Sequence, residues 1–272
     1  LLLATLVVFP HLDKRVESGA QGGAPGRIVP ITHIDGSEHS LDFNPSLNTY
    51  AFIHDVGIRA DIYIGNMANS STVRVTDDGA VPSTPRWLDS QRLIYVSCHG
   101  WDCGVYRYQS GLKTQIIYKG DTLISGLALD VKNDNTVYFS QYADKSRFLL
   151  KSLNIETGEV VTLQDVYPSL PPKTYVKRYS ADQNSLLIAA PKDSYMNLYR
   201  FSLEGGELTP VAVEFDEISD VTTTPTGVVI AGRYQGGDGL WLVNSNSLSA
   251  TPFLRSSGTE QIMSVVSKSG EY

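Results

Sequence analysis

The sequence predicts an all-β fold, a β-propeller of four-stranded antiparallel blades. Three observations lead there. Tyrosine, β-branched residues, glycine and proline are spread along the chain, and no stretch of useful length carries a helical period. A turn-like segment before a short apolar strand recurs at Leu47, Ser90, Asp134, Gln183, Gly227 and Gly270, in steps of 43, 44, 49, 44 and 43 residues. A second marker, a strand centred on Tyr63, Tyr106, Leu150, Tyr199 and Trp241, steps by 43, 44, 49 and 42. Two markers that share even the one long step define a repeat.

Each unit reads as an inner strand, a turn, a second strand, a loop and a third strand. A polar turn such as ETGE or EGGE then leads to a fourth strand, for example STVRVT (71–76), TQIIYK (114–119) or EVVTLQ (159–164). Four antiparallel strands in about 43 residues make a propeller blade. A lone blade leaves both faces wet, whereas radial stacking buries them and leaves only short edges. The blades fall at about 38–79, 80–121, 122–166, 167–215 and 216–258, with a partial unit at 259–272. Residues 26–45 line up with 71–89, so 27–32 read as an outer strand without a blade of its own, placed to close the ring. The expectation is a piece of a longer chain: five complete blades, the start of a sixth, and a closure strand from the N-terminal side.

The opening LLLATLVVF (1–9) is apolar and uncharged, and is too short to span a bilayer alone. Residues 1–10 are read as the end of a transmembrane helix, with the remains of a signal segment or a buried first strand as alternatives. Residues 11–26 form a linker rich in glycine and alanine, and the propeller covers 27–272. The formal net charge of −7 argues against a nucleic-acid surface.

The two cysteines, Cys98 and Cys103, fall at the end of the second strand and the start of the third strand of blade two, with HGWD between them. Facing positions on a hairpin come within reach of a disulfide after modest twist. Two free thiols are the alternative. A zinc site lacks a second ligand pair, with only His99 nearby, and no CxxC is present. A disulfide would place the domain in an oxidising compartment.

The segments NPSLNTYAF (44–52), SADQNSLLIA (180–189) and TPTGVVIAG (224–232), followed by DIYIG or NLYRF, resemble the TolB-type propeller repeat. The resemblance covers about 38–272, and only Asn44-Pro45 and Thr224-Pro225-Thr226-Gly227 come near the family's turn motif. It implies the fold and one of three settings. The first is the extracytoplasmic sensory domain of ToxR/CadC-like membrane-bound winged-helix regulators, which the order of apolar run, linker and propeller matches best. In that setting DNA binding belongs to a cytoplasmic domain outside this sequence, the membrane is met through the N-terminal helix, and the propeller lies in the periplasm. The others are a soluble periplasmic TolB-like scaffold that docks envelope proteins and the propeller of a prolyl-oligopeptidase-type peptidase.

No GxSxG, HExxH, GxxxxGK[ST] or strand-borne GxGxxG occurs, so the sequence points to no enzyme, no cofactor and no metal. Glu38-His39 and His54-Asp55 set acid beside base, but neighbours on a strand point to opposite faces. A binding face remains, formed by the loops between second and third strands. Its candidates are His54, Arg59, His99, Trp101, Asp102, Tyr142, Lys145, Asp193, Tyr195, Tyr234 and Asp238, where aromatics among charges suit a protein, peptide or small-molecule ligand.

Overall fold

The computed structural model describes residues 5–7, 28–30, 34–44, 48–112, 114–130, 135–144, 147–180, 184–224, 227–244 and 247–255. Within the apolar opening run, β1 (Thr5–Val7) is a strand, not the helix expected there, and it pairs antiparallel with β2 (Ile28–Pro30). The expected closure strand thus takes β1 as its partner. Residues 11–26 and 259–272, and with them the strand leading into Gly270, lie outside the described residues.

Five four-stranded antiparallel sheets follow, each a simple meander, arranged as blades in a propeller ring. Blade one comprises β3 (Ser37–Asn44), β4 (Thr49–Val56), β5 (Arg59–Asn66) and β6 (Thr72–Arg74). Blade two comprises β7 (Val81–Trp87), β8 (Arg92–His99), β9 (Asp102–Gln109) and β10 (Gln115–Lys119). Blade three is built from β11 (Ile124–Leu129), β12 (Thr136–Tyr142), β13 (Phe148–Asn154) and β14 (Val160–Thr162). A single helical turn, α1 (Leu163–Val166), precedes blade four: β15 (Tyr175–Ser180), β16 (Ser185–Lys192), β17 (Tyr195–Ser202) and β18 (Leu208–Phe215). Blade five contains β19 (Glu217–Thr224), β20 (Gly227–Tyr234), β21 (Gly237–Asn244) and β22 (Ala250–Arg255).

The period-2 alternation of each second strand explains the stacking. On β8, Leu93 and Tyr95 pack with Ala51, Ile53 and Ile62 of blade one, while Ile94 and Val96 pack with Leu127, Val137 and Phe139 of blade three. On β16, Leu186 and Ile188 join Tyr138 and Leu150 of blade three, while Leu187 and Ala189 join Val228, Ile230 and Trp241 of blade five. Both faces of these central strands are therefore buried, and they read as continuous apolar runs. Each fully buried large aliphatic side chain in these inter-blade seams contributes about 1.5–3 kcal/mol. Blade one also carries its own cluster of Leu41, Phe43, Tyr50 and Phe52, and blade five one of Val229, Ala231 and Leu240.

Every inner strand carries a β-bulge against its second strand at the same phase, between His39 and Asp42, Ser83 and Arg86, Ser125 and Leu127, Val176 and Arg178, and Ile218 and Asp220. Bulges bend a strand and re-aim its side chains. In blade three the bulge residue is Gly126, with φ +74°, and an added Cβ would sit 2.2 Å from the Val176 carbonyl oxygen of the next inner strand. Gly111 has a similar φ of +76° but nothing within 4 Å of its missing Cβ. Both glycine-to-alanine changes bear the left-handed penalty of about 1–2 kcal/mol. Gly126→Ala must also push two strands apart, so it is expected to cost at least about 2 kcal/mol more than Gly111→Ala, within the range of other severe local defects. Urea denaturation of the two variants checks this.

Candidate functional site

Because each blade is a meander, the hairpins between second and third strands share one end of the ring with the connections into the next inner strand. At this end stand the exposed large apolar residues Val56 and Ile58 of blade one, Val81 and Trp101 of blade two and Tyr195 of blade four. Trp101 is 66% exposed and Ile58 fully so. A row of rings runs on from the tryptophan across three blades. Trp101 lies 6.3 Å from Tyr142, Tyr142 lies 5.5 Å from Phe148, and Phe148 lies 4.8 Å from Tyr175. These centroid spacings fall in the range of productive aromatic contact.

The cysteines hold the base of this feature. Cys98 and Cys103 are register partners on β8 and β9 and form a disulfide, with Cα atoms 4.0 Å apart. The two-residue turn between the strands is Gly100-Trp101, and Gly100 takes φ +63° at the first turn position, where hairpin twist requires it. The bond thus pins the tip that carries Trp101.

The other residues expected at this face have different fates. His99, Asp102, Asp193 and Tyr195 are exposed on the hairpins, and Tyr142 and Tyr234 are half-buried. Arg59 is engaged by Asp61 at 2.9 Å and by the Asp77 carbonyl at 3.2 Å, and Asp238 by Arg233 at 3.0 Å, so both serve the hairpins themselves. His54 is buried at 4% exposure and is not part of the exposed surface. Lys145 lies outside the described residues. Strand alternation rightly excludes the sequence neighbours Glu38-His39 and His54-Asp55 as pairs, but the register re-pairs them across β3 and β4. Buried Glu38 Oε1 lies 4.0 Å from His54 Nδ1, and His39 Nε2 lies 3.0 Å from Asp55 Oδ2 on the other face.

Inside the channel the bulges gather a charged set that the sequence reading missed. Asp42 of β3, Arg86 of β7, Arg178 of β15 and Asp220 of β19 meet from four blades. Arg178 Nη1 donates to Asp42 Oδ1 at 3.2 Å, and its Nη2 is 3.8 Å from Asp220. Arg86 lies 3.9 Å from Asp42 and 3.5 Å from Asp220. The backbone fixes both carboxylates: Trp87 N–H donates to Asp42 at 2.8 Å and Val221 N–H to Asp220 at 2.9 Å. Burial, with the like charge of Arg178, pulls the Arg86 guanidinium below its ordinary value, while Asp220 and Asp42 oppose the shift. Half-buried Lys177 is also pulled down, chiefly by burial, against the opposing pull of Asp220 and Glu217. The signal that could have found the set is its phase, since Asp42 and Arg86 are 44 residues apart and Arg178 and Asp220 are 42 apart. Among the described residues, no group of three or more His, Cys, Asp and Glu is placed to hold a metal ion. No helix among them is long and apolar enough to cross a membrane.

With this geometry in hand, comparison with known proteins speaks to the fold. TolB from Acinetobacter baumannii superposes with a TM-score of 0.69 at 14% identity, covering 87% of this chain and 58% of that one. The chain has a TolB-like β-propeller fold. A putative TolB from Agrobacterium tumefaciens matches with a TM-score of 0.68 at 12% identity, covering 84% of each chain. Enzymes share the architecture too: puromycin hydrolase matches with a TM-score of 0.58 at 14% identity, over 87% of this chain and 42% of that one. This chain therefore spans little more than half the length of the Acinetobacter protein and less than half of the hydrolase. No protein-family model matches the sequence, and no curated protein matches it. At such identities the likeness establishes the fold and leaves activity to the site.

Two outcomes follow from the site. Asp42→Asn leaves Arg86 and Arg178 short of counter-charge in a buried setting and is expected to cost about 3–5 kcal/mol. The exposed pair of Asp144 and Arg147 should tolerate Asp144→Asn with no change in denaturation midpoint. Reducing the short Cys98–Cys103 loop should cost about 2 kcal/mol from chain entropy, read as a lower urea midpoint in the presence of a thiol reductant.

Proposed function

We propose that this chain is a non-catalytic, extracytoplasmic interaction propeller, TolB-like in role as well as fold, that docks a protein partner on its hairpin face. The observation that carries the reading is the exposed apolar set of Val56, Ile58, Val81, Trp101 and Tyr195, continued by the ring row from Trp101 to Tyr175. A large exposed tryptophan set against the Tyr142 ring, on an end that carries further exposed apolar residues and charges, is the pattern of an interface anchor. The disulfide beneath it supports an oxidising compartment. The finer role, sensing for a membrane-bound ToxR/CadC-like regulator, rests on the order of segments in the sequence. A second reading, the propeller of a peptidase, draws on the fold match with puromycin hydrolase.

Photo-crosslinking tests the docking face. A benzophenone residue at position 101 or 58 should give a discrete adduct in cells. At Leu112, exposed on the opposite end of blade two, it should give none. Trp101→Ala should weaken binding of the captured partner about tenfold or more, at the scale of an interface hot spot, with the denaturation midpoint unchanged. Equal adducts from positions 101 and 112 would remove the face from consideration.

A further inference from the structure

We propose that the channel binds a small oxyanion, a carboxylate or phosphate group, on the guanidinium of Arg86, with Arg178 and Lys177 flanking it. This inference is independent of the docking face. Its basis is unused donor capacity in a buried place. Arg86 is 7% exposed, yet among the described residues its one hydrogen bond runs from Nη1 to the carbonyl of its own neighbour Pro85, at 3.3 Å. Its Nε is buried without a partner, and Asp220 and Asp42, at 3.5 and 3.9 Å, lie near it without hydrogen-bonding to it. A guanidinium carries five N–H donors in a fixed fork, and leaving a buried donor unpaired costs about 1–3 kcal/mol. Nε is the donor left open: Nη2 faces Asp220 at 3.5 Å, and a guanidinium edge suits an oxyanion oxygen placed on Nε.

The charges around it point the same way. Lys177 donates to the Ser219 carbonyl oxygen at 3.2 Å and has no carboxylate within ion-pair distance among the described residues. Three cations, Arg86, Arg178 and Lys177, thus face two carboxylates that already accept backbone N–H groups. Glu217, exposed at the rim, adds only a long-range attraction on Lys177. A bound oxyanion would supply the missing charge and give Nε the acceptor it lacks in one step, where the low dielectric makes such a contact strong.

Thermal unfolding of the full chain tests this, with sodium phosphate and sodium acetate titrated separately against sodium chloride at matched ionic strength. Saturable stabilisation by phosphate, acetate or both, beyond that of chloride, is expected. Its dependence on concentration should follow one-site linkage. Response to one anion alone identifies the group as phosphate or carboxylate. Lys177→Gln should weaken the apparent affinity about fivefold or more, and Arg86→Met should abolish it. If Arg86→Met does not fold, Lys177→Gln decides. Stabilisation no greater than chloride gives, or the same in wild type and Lys177→Gln, is screening alone and overturns the site.

Discussion

A four-stranded sheet with apolar residues on both sides cannot rest in water, and every other feature of this protein follows from that constraint. The second strand of each interior blade sends alternate residues to the blade before and the blade after, as Leu93 and Ile94 do on β8. Stacking in one direction about an axis is the arrangement that serves all such strands at once. It also brings the inner strands together edge-on around a narrow channel, where their side chains must meet one another.

What they meet with is set by the bulges. A regular inner strand would alternate its residues between the two seams. The bulge gives up one register step and turns Asp42, Arg86, Arg178 and Asp220 inward instead. Four charges from four blades then neutralise one another where solvent is scarce. Such a network adds little net stability by itself, but it makes an incorrect stack expensive, because a blade out of place would strand a buried charge. Blade three has Gly126 and Leu127 at this phase, and there the inner strand closes directly on its neighbour.

The sequence showed the period, the blade plan and the hairpin disulfide, because those depend on local strand chemistry repeated in phase. The channel set was hidden for a physical reason: an Asp or Arg in a half-polar strand looks like a solvated residue until the bulge is known. The acid–histidine pairs at Glu38–His54 and His39–Asp55 were hidden for a related one. Alternation separates neighbours correctly, but only the register of β3 against β4 says which residues rejoin across the strands. The segment 5–7 shows the limit of reading apolar content alone, since a short run of Leu, Val and Thr suits a strand as well as a helix end.

The most direct test of the ring is a double-mutant cycle on Arg86 and Asp220, which belong to blades two and five. Single variants Arg86→Met and Asp220→Asn and the double variant would be unfolded in urea under identical conditions. A ring that brings these inner strands together requires a coupling of about 1–3 kcal/mol, as contacting charged residues show. Additive losses, within about 0.5 kcal/mol, would mean that the two blades do not share a channel.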